Sequence, residues 1–184
     1  MRSFKSSLLI VGMALVAFGQ SACTKKDQSG TAQTSAAALS AAEPKITRAQ
    51  AEQVALEKFP GSYLLSTELE PEDGKLVYSV EARTPQAVYE VVVDAMTGQV
   101  IETDDNTLKF RQDSAAGKVS LVPVDLAERD SAEQVALKAY PGKIQKWKAH
   151  ADSGRTIFSF KIQTDAGLKK VVVAAGTNEI LKAK

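Results

Sequence analysis

The chain has 184 residues, a formal net charge of +1, one cysteine and one histidine. A single cysteine excludes an intrachain disulfide, so a hydrophobic core must stabilise the fold. The balanced charge is unlike the dense basicity of nucleic-acid-binding proteins, and we expect no nucleic-acid partner.

Residues 1–22 are predicted to be an export signal. Arg2 and Lys5 precede an uninterrupted run of apolar or glycine residues, Leu8 to Phe18. A run of this length is too short to span a bilayer stably.

The single cysteine follows this segment directly. Gln20-Ser21-Ala22-Cys23 resembles a bacterial lipobox, although lipobox sequences favour leucine at the position of Gln20. The resemblance implies that Cys23 is lipidated and becomes the N-terminus. The alternative is ordinary cleavage after Ser21, which would leave a free thiol.

Residues 24–44 are mostly small and polar, and we expect them to form a flexible tether. The lipid would then be the only contact with the membrane. The folded part would lie in the cell envelope, facing the periplasm or the cell exterior.

The remaining sequence contains one pattern twice. Ala51 to Gly61 recurs as Ala132 to Gly142 with most residues identical, and Val91 to Val93 recurs as Val171 to Val173. The repeat predicts two similar units.

We expect the units to be residues 45–106 and 124–184, joined by a linker of residues 107–123. Residues 44–106 carry a net charge of −7 and residues 124–184 a net charge of +4. Either the two units attract each other, or each meets a different partner, or two solvated surfaces have simply diverged.

Each unit is predicted to be one helix on three or four antiparallel strands, which is an α+β fold. In the first unit, Thr47 and Gln50 form a capping box, and Phe59-Pro60-Gly61 ends the helix. Four residues form an apolar stripe on this helix: Ala51, Val54, Ala55 and Phe59. Strands are predicted at four places: Ser62 to Leu69, Leu76 to Arg83, Ala87 to Asp94 and Gln99 to Glu102.

In the second unit, Asp130 and Glu133 are predicted to form the capping box. The corresponding apolar stripe is Ala132, Val135, Ala136 and Tyr140. Ser153-Gly154 takes the place of the Asp73-Gly74 turn. Asn178 takes the place of Gly98, which predicts the same positive φ.

The first unit resembles the PepSY domain. The resemblance lies in the helix ending in Pro-Gly, in Val77-Tyr78-Ser79-Val80, and in the closing hairpin Tyr89 to Val100. It is weaker over residues 128–182, where Ala174 and Asn178 replace the family's Asp and Gly. The resemblance implies a non-catalytic role, often proposed to be restraint of a peptidase.

The closing hairpin supplies the first candidate binding residues, Asp94, Thr97 and Gly98. The simpler role for Asp94 is to accept hydrogen bonds from the turn amides. A second candidate group is the acidic hairpin tip Glu70, Glu72 and Asp73. With Glu68 it could attract calcium, but it lacks the spacing of a calcium loop, and we expect a solvated tip without metal.

A third candidate group is Lys146, Trp147 and Lys148, which could bind an anionic polymer or an acidic protein surface together with Lys169 and Lys170. The simpler interpretation is that these lysines protect an edge strand, and that Trp147 lies in the core.

Catalytic residues are scarce. His150 is the sole histidine and no motif surrounds it, so we expect a solvated side chain, no cofactor and no enzyme. The leading hypothesis is a binding module that restrains or escorts an exported protein, such as a peptidase. The alternative is a structural or sensory lipoprotein that binds peptides or anionic wall polymer.

The anchoring hypothesis predicts that Cys23→Ser releases the protein from the membrane fraction, because the substitution removes the atom that carries the lipid. Fractionation of cells followed by immunoblotting measures this release. A wild-type protein that is already fully soluble after export would contradict the hypothesis.

Overall fold

A computed structural model describes residues 42–117 and 123–184. The predicted export signal, Cys23 and residues 24–41 of the tether lie outside the described residues. The described helices are α1 (Arg48–Lys58), α2 (Thr107–Ala115) and α3 (Leu126–Ala139). The strands are β1 (Tyr63–Glu72), β2 (Lys75–Arg83), β3 (Val88–Asp94), β4 (Val100–Asp105), β5 (Lys143–Asp152), β6 (Arg155–Thr164), β7 (Gly167–Ala174) and β8 (Ile180–Ala183).

All eight strands form one antiparallel sheet in the order β4-β3-β2-β1-β5-β6-β7-β8. The fold is therefore α+β, as predicted. We call β1 to β4 with α1 the first half and β5 to β8 with α3 the second half. The halves meet where β1 pairs with β5, with Thr67 opposite Trp147.

The two halves have the same strand register. We call two residues equivalent when the sequence repeat aligns them. Thr67 lies opposite Val80, and its equivalent Trp147 lies opposite Phe160, the equivalent of Val80. The first strand of each half also carries one register shift near its start. Equivalent residues therefore face the same side of the sheet.

The tight turns follow the sequence prediction. Asp73 and Gly74 have φ values of 46° and 78°, and Ser153 and Gly154 have values of 50° and 78°. Two successive residues with positive φ are typical of the type I′ turn of a two-residue hairpin. Gly98 and Asn178 also both have positive φ, at 77° and 57°, which confirms that Asn178 takes over the glycine conformation.

The start of α1 was predicted correctly, and that of α3 was not. Thr47 and Gln50 form the expected capping box. In contrast, α3 begins at Leu126, and the side chain of Asp125 accepts a hydrogen bond from the Ala127 amide at 2.8 Å. Asp130 lies inside the helix, where its carboxylate binds Arg129.

The predicted linker contains α2. The Thr107 amide donates to Asp105 Oδ1 at 2.8 Å, and Phe110 packs against the hydrophobic core. One apolar anchor in a short polar helix produces no recognisable periodicity, which is why the sequence pattern did not indicate it.

The residues of α1 and α3 that pack most closely on the sheet are alanines. The four alanines of the two predicted stripes are fully buried: Ala51, Ala55, Ala132 and Ala136. Val54, Phe59 and Tyr140 are half-buried and pack against the core, and Phe59 stacks on Tyr89 with ring centroids 4.1 Å apart. Val135 is half-buried.

A buried ion pair joins α1 to α3. Glu52 and Arg129 are 4% and 5% exposed, and Arg129 Nη1 donates to both carboxylate oxygens of Glu52 at 3.0 Å. Glu52 Oε1 also accepts from Trp147 Nε1 at 2.8 Å and from Thr67 Oγ1 at 2.9 Å. The carboxylate of Glu52 thus accepts hydrogen bonds from residues of both halves.

A second ion pair repeats the first with the helices exchanged. Arg48 of α1 lies 2.8 Å from Glu133 of α3. Arg48 is equivalent to Arg129, and Glu52 is equivalent to Glu133, so both bridges use the same two positions of the repeat. The Arg48–Glu133 pair is more exposed than the pair at Glu52.

We expect Glu52→Gln to lower the free energy of unfolding by about 3 kcal/mol, because it removes one charge of a buried ion pair. The matched control, Glu133→Gln, should cost about 1 kcal/mol or less, because its pair is partly solvated. Urea denaturation followed by the fluorescence of Trp147, the only tryptophan, measures both values. Equal losses would show that Glu52 has no special role.

Candidate functional site

The sheet has one face covered by α1 and α3 and an opposite face, which we call the open face. Thr67 and Trp147 point to the helices, since both donate to Glu52. Side chains alternate along a strand, so Ser66, Glu68, Lys146 and Lys148 lie on the open face.

The first half of the open face is acidic. Glu90 of β3 lies directly between Glu81 of β2 and Asp104 of β4. Six carboxylates share this surface: Glu68, Glu70, Glu81, Glu90, Glu102 and Asp104. At its margin, partial desolvation and the charges of Glu70 and Asp73 raise the pKa of Glu72. The like charges on neighbouring strands therefore repel each other in this half.

The second half of the open face reverses these charges. Five of the six carboxylates have a lysine at the equivalent position, and the equivalent of Glu70 is His150. The lysines are Lys148, Lys161, Lys170, Lys182 and Lys184. Lys161 lies opposite both Lys146 and Lys170, and Lys170 pairs through its backbone with Lys184. Lysines therefore form a continuous row across the second half.

Ion pairs cross the boundary between the halves. Lys148 Nζ lies 2.9 Å from Glu81, and Lys161 Nζ lies 2.8 Å from Glu68, which also binds Lys146. Burial opposes the ionisation of both glutamates, but the lysines, together with Ser66 at Glu81, hold the pKa of each below its ordinary value. Both carboxylates are therefore ionised at neutral pH.

Helix α2 covers part of the acidic half. Asn106 Nδ2 donates to Glu90 at 2.9 Å, and the Val88 amide donates to Thr107 Oγ1 at 3.0 Å. The guanidinium carbon of Arg83 lies 4.5 Å from the ring centroid of Phe110.

An open groove runs over the second half. It has a volume of about 560 Å³ and is lined by Lys148, His150 and Lys170, with Ile157 and Val172 among its apolar residues. Two aspartates also line it, Asp113 of α2 and Asp152. A neighbouring groove of about 410 Å³ shares Ile157, Lys170 and Val172 and extends to Lys182 and Lys184. Together the two grooves are lined by four lysines and two aspartates beside apolar side chains, and this surplus of positive charge suits an anionic partner.

The predicted group around Trp147 is divided between the two faces. Trp147 is fully buried, so its indole cannot contact a partner on the surface. Lys146 and Lys148 lie on the open face as ion-paired side chains. The edge-strand interpretation is wrong for both, because β5 lies between β1 and β6.

The closing hairpin has the turn geometry expected for Asp94. Its Oδ1 accepts from the Met96 amide at 2.8 Å and from the Thr97 amide at 2.9 Å. Thr97 is exposed and Gly98 half-buried. A binding role for these three residues stays a prediction.

The acidic tip lies at the end of the first hairpin. Glu72 and Asp73 are exposed, and Glu70 is half-buried and accepts from Ser79 Oγ at 3.0 Å. Within residues 42–117 and 123–184, no three His, Cys, Asp or Glu side chains converge as metal ligands. Likewise, no helix in these two ranges is long and apolar enough to cross a membrane.

The residue-by-residue charge reversal between the halves was not predicted from the sequence. Aligning β1 to β4 with β5 to β8 would have found it, because Glu81, Glu90 and Asp104 align with lysines. That all of them share one face follows only from the strand register.

Residues 45–104 match the family model PepSY, described as "Peptidase propeptide and YPEB domain". The match covers about a third of the chain and confirms the resemblance over these residues. No curated protein matches the sequence.

A crystal structure of a putative lipoprotein from Clostridium difficile 630 is similar to this chain, with a TM-score of 0.50 and 22% sequence identity. The alignment covers 79% of this chain and 97% of that one. At this identity the likeness concerns the fold. The comparisons thus give a PepSY match for residues 45–104 and a similar fold for most of the chain.

Proposed function

We propose that this chain is a non-catalytic binding protein of the cell envelope, which holds an exported protein, foremost a peptidase, and restrains or escorts it. The observation that carries the proposal is the open face, where the first half is acidic and the second half presents lysines around a groove. A surface with two charge signs selects the orientation of a protein partner as well as its identity.

The family match supports a link to peptidases, since the PepSY description names a peptidase propeptide. The side-chain chemistry supports binding over catalysis. His150 is the sole histidine and the sole cysteine lies at position 23. In the described ranges, the strongly buried acid, Glu52, is already bound by Arg129, Trp147 and Thr67, which leaves it no access to a substrate.

The proposal includes the domain organisation expected from the sequence. Two PepSY-like units, residues 45–106 and 124–184, follow a lipid-anchored Cys23 and a tether, and the anchored chain faces the periplasm or the cell exterior. The strand register shared by the two halves supports the tandem arrangement. The PepSY match supports the first unit.

The lysine row favours one alternative, an envelope protein that binds anionic wall polymer or peptides and inhibits nothing. A polymer of regularly spaced anions would satisfy consecutive lysines such as Lys161, Lys170 and Lys184. It would leave the acidic half without a role, so we place it second.

Crosslinking capture from envelope extract tests the proposal, with the chain from residue 23 onward immobilised through its single thiol. We expect capture of a peptidase whose activity is lower in the complex. Capture of wall polymer alone would support the alternative. Turnover of a substrate by the purified chain would overturn the non-catalytic interpretation.

Matched variants identify the binding face. Lys170→Glu combined with Lys182→Glu should reduce the captured partner about tenfold, since attraction becomes repulsion at two places on the groove. Lys58→Glu combined with Lys138→Glu makes the same charge change at exposed positions of α1 and α3 and should leave capture unchanged. Equal capture by all three proteins would exclude the open face as the binding surface.

A further inference from the structure

Two equivalent patches of the open face differ in what covers them. The covered patch consists of Glu81, Arg83, Val88 and Glu90, on which α2 lies. The equivalents of these four residues form the uncovered patch: Lys161, Gln163, Leu168 and Lys170. The register is the same, because Glu81 pairs with Glu90 and Lys161 pairs with Lys170.

The apolar residue is buried in the covered patch and exposed to solvent in the uncovered patch. Val88 is 2% exposed beneath α2, and its equivalent Leu168 is 57% exposed. Leu168 shares its face with Lys170, two residues further along β7. In the described part of the chain, no element takes the place of α2 over this leucine.

The charged residues of the two patches differ in sign and in the number of partners that neutralise them. In the covered patch, Asn106 of α2 donates to Glu90, and the charge of Lys109 favours the ionised form of Glu81. In the uncovered patch, Lys161 shares Glu68 with Lys146. Lys170 has no carboxylate partner within the described residues.

We propose that the uncovered patch binds an acidic amphipathic segment of the partner protein, which packs an apolar side chain on Leu168 and places carboxylates against Lys161 and Lys170. This segment is the counterpart of α2 with the opposite charge. The inference deepens the proposed function, since it names the chemistry by which the partner is recognised.

The boundary ion pairs alone do not explain the charge reversal. Attraction between the halves needs only charged residues on or next to β1 and β5, such as Glu68 and Lys148. Lys170 and Lys184 lie on the far side of the second half and still carry the reversed charge. Helix α2 of a second copy is unsuited to this patch, because Lys109 and Arg111 would face lysines.

The chain itself supplies the probe. A peptide of residues 106–116 carrying Lys109→Glu and Arg111→Glu has the apolar pattern of α2 with reversed charge, and the unmodified peptide is its control. Titration of the isotope-labelled chain from residue 23, carrying Cys23→Ser, reports binding through NMR shifts of the backbone amides. We expect saturable shifts at Leu168 and Lys170, with the unmodified peptide binding about tenfold more weakly.

Exchanging the charges of the patch should exchange the preference. The variant Lys161→Glu/Lys170→Glu should bind the unmodified peptide about tenfold better than the acidic one. Because Lys161 also pairs with Glu68, Leu168→Ser serves as a second variant that leaves every ion pair intact. Leu168→Ser should weaken binding of the acidic peptide several-fold, because it removes the apolar side chain on which the peptide packs.

Three outcomes would overturn the inference. These are equal binding of both peptides, shifts located away from Leu168 and Lys170, and binding of inorganic polyphosphate that matches the acidic peptide and is unaffected by Leu168→Ser. The last result would assign the patch to anionic polymer. Failure of the peptide experiment leaves the capture experiment standing, because capture of a peptidase reports contact through any surface.

Discussion

The short pairing of β1 with β5 joins the two halves into one sheet and determines which of their residues meet. Only three residue pairs are registered there, with Thr67 and Trp147 at the centre. Among the ion pairs that flank this contact, four are related by the repeat, two on each face of the sheet: Arg129–Glu52, Arg48–Glu133, Lys148–Glu81 and Lys161–Glu68. Each pair has a counterpart that uses equivalent positions of the two halves. Together they fix the register that aligns the charged rows of the open face.

Local chemistry made much of the fold predictable. Asp73-Gly74 and the Thr47 capping box are decided by neighbouring residues, so their sequence signals were sufficient. The start of α3 was misplaced because two aspartates were possible caps, and Asp130 is instead bound to Arg129, whose position depends on Glu52 in the other half. Contacts between distant residues decide such cases, and a local pattern does not contain them.

In the candidate site, too, some features could be predicted from the sequence and others depend on contacts between distant residues. The net charges of the halves, and the presence of lysines beside Trp147, were visible in the sequence. The sequence did not show that Trp147 turns to the helices while Lys146 and Lys148 turn to the open face. Strand alternation predicts opposite faces for neighbours, but the partner of β5 had to be known before either face could be assigned. The burial of Val88 beneath α2 likewise depends on a helix that periodicity did not reveal.

The charge reversal also has a consequence for the order of folding. Within each half, consecutive strands pair, whereas β1 and β5 join residues that lie far apart in the sequence, so the long-range contact is expected to form last. Until then β1 is an edge strand with unpaired backbone groups, open to another molecule. A second copy of β1 in the place of β5 would put Glu68 where Lys148 lies, against Glu81. Repulsion between these two glutamates would therefore disfavour the pairing of two first halves and favour the pairing of β1 with β5.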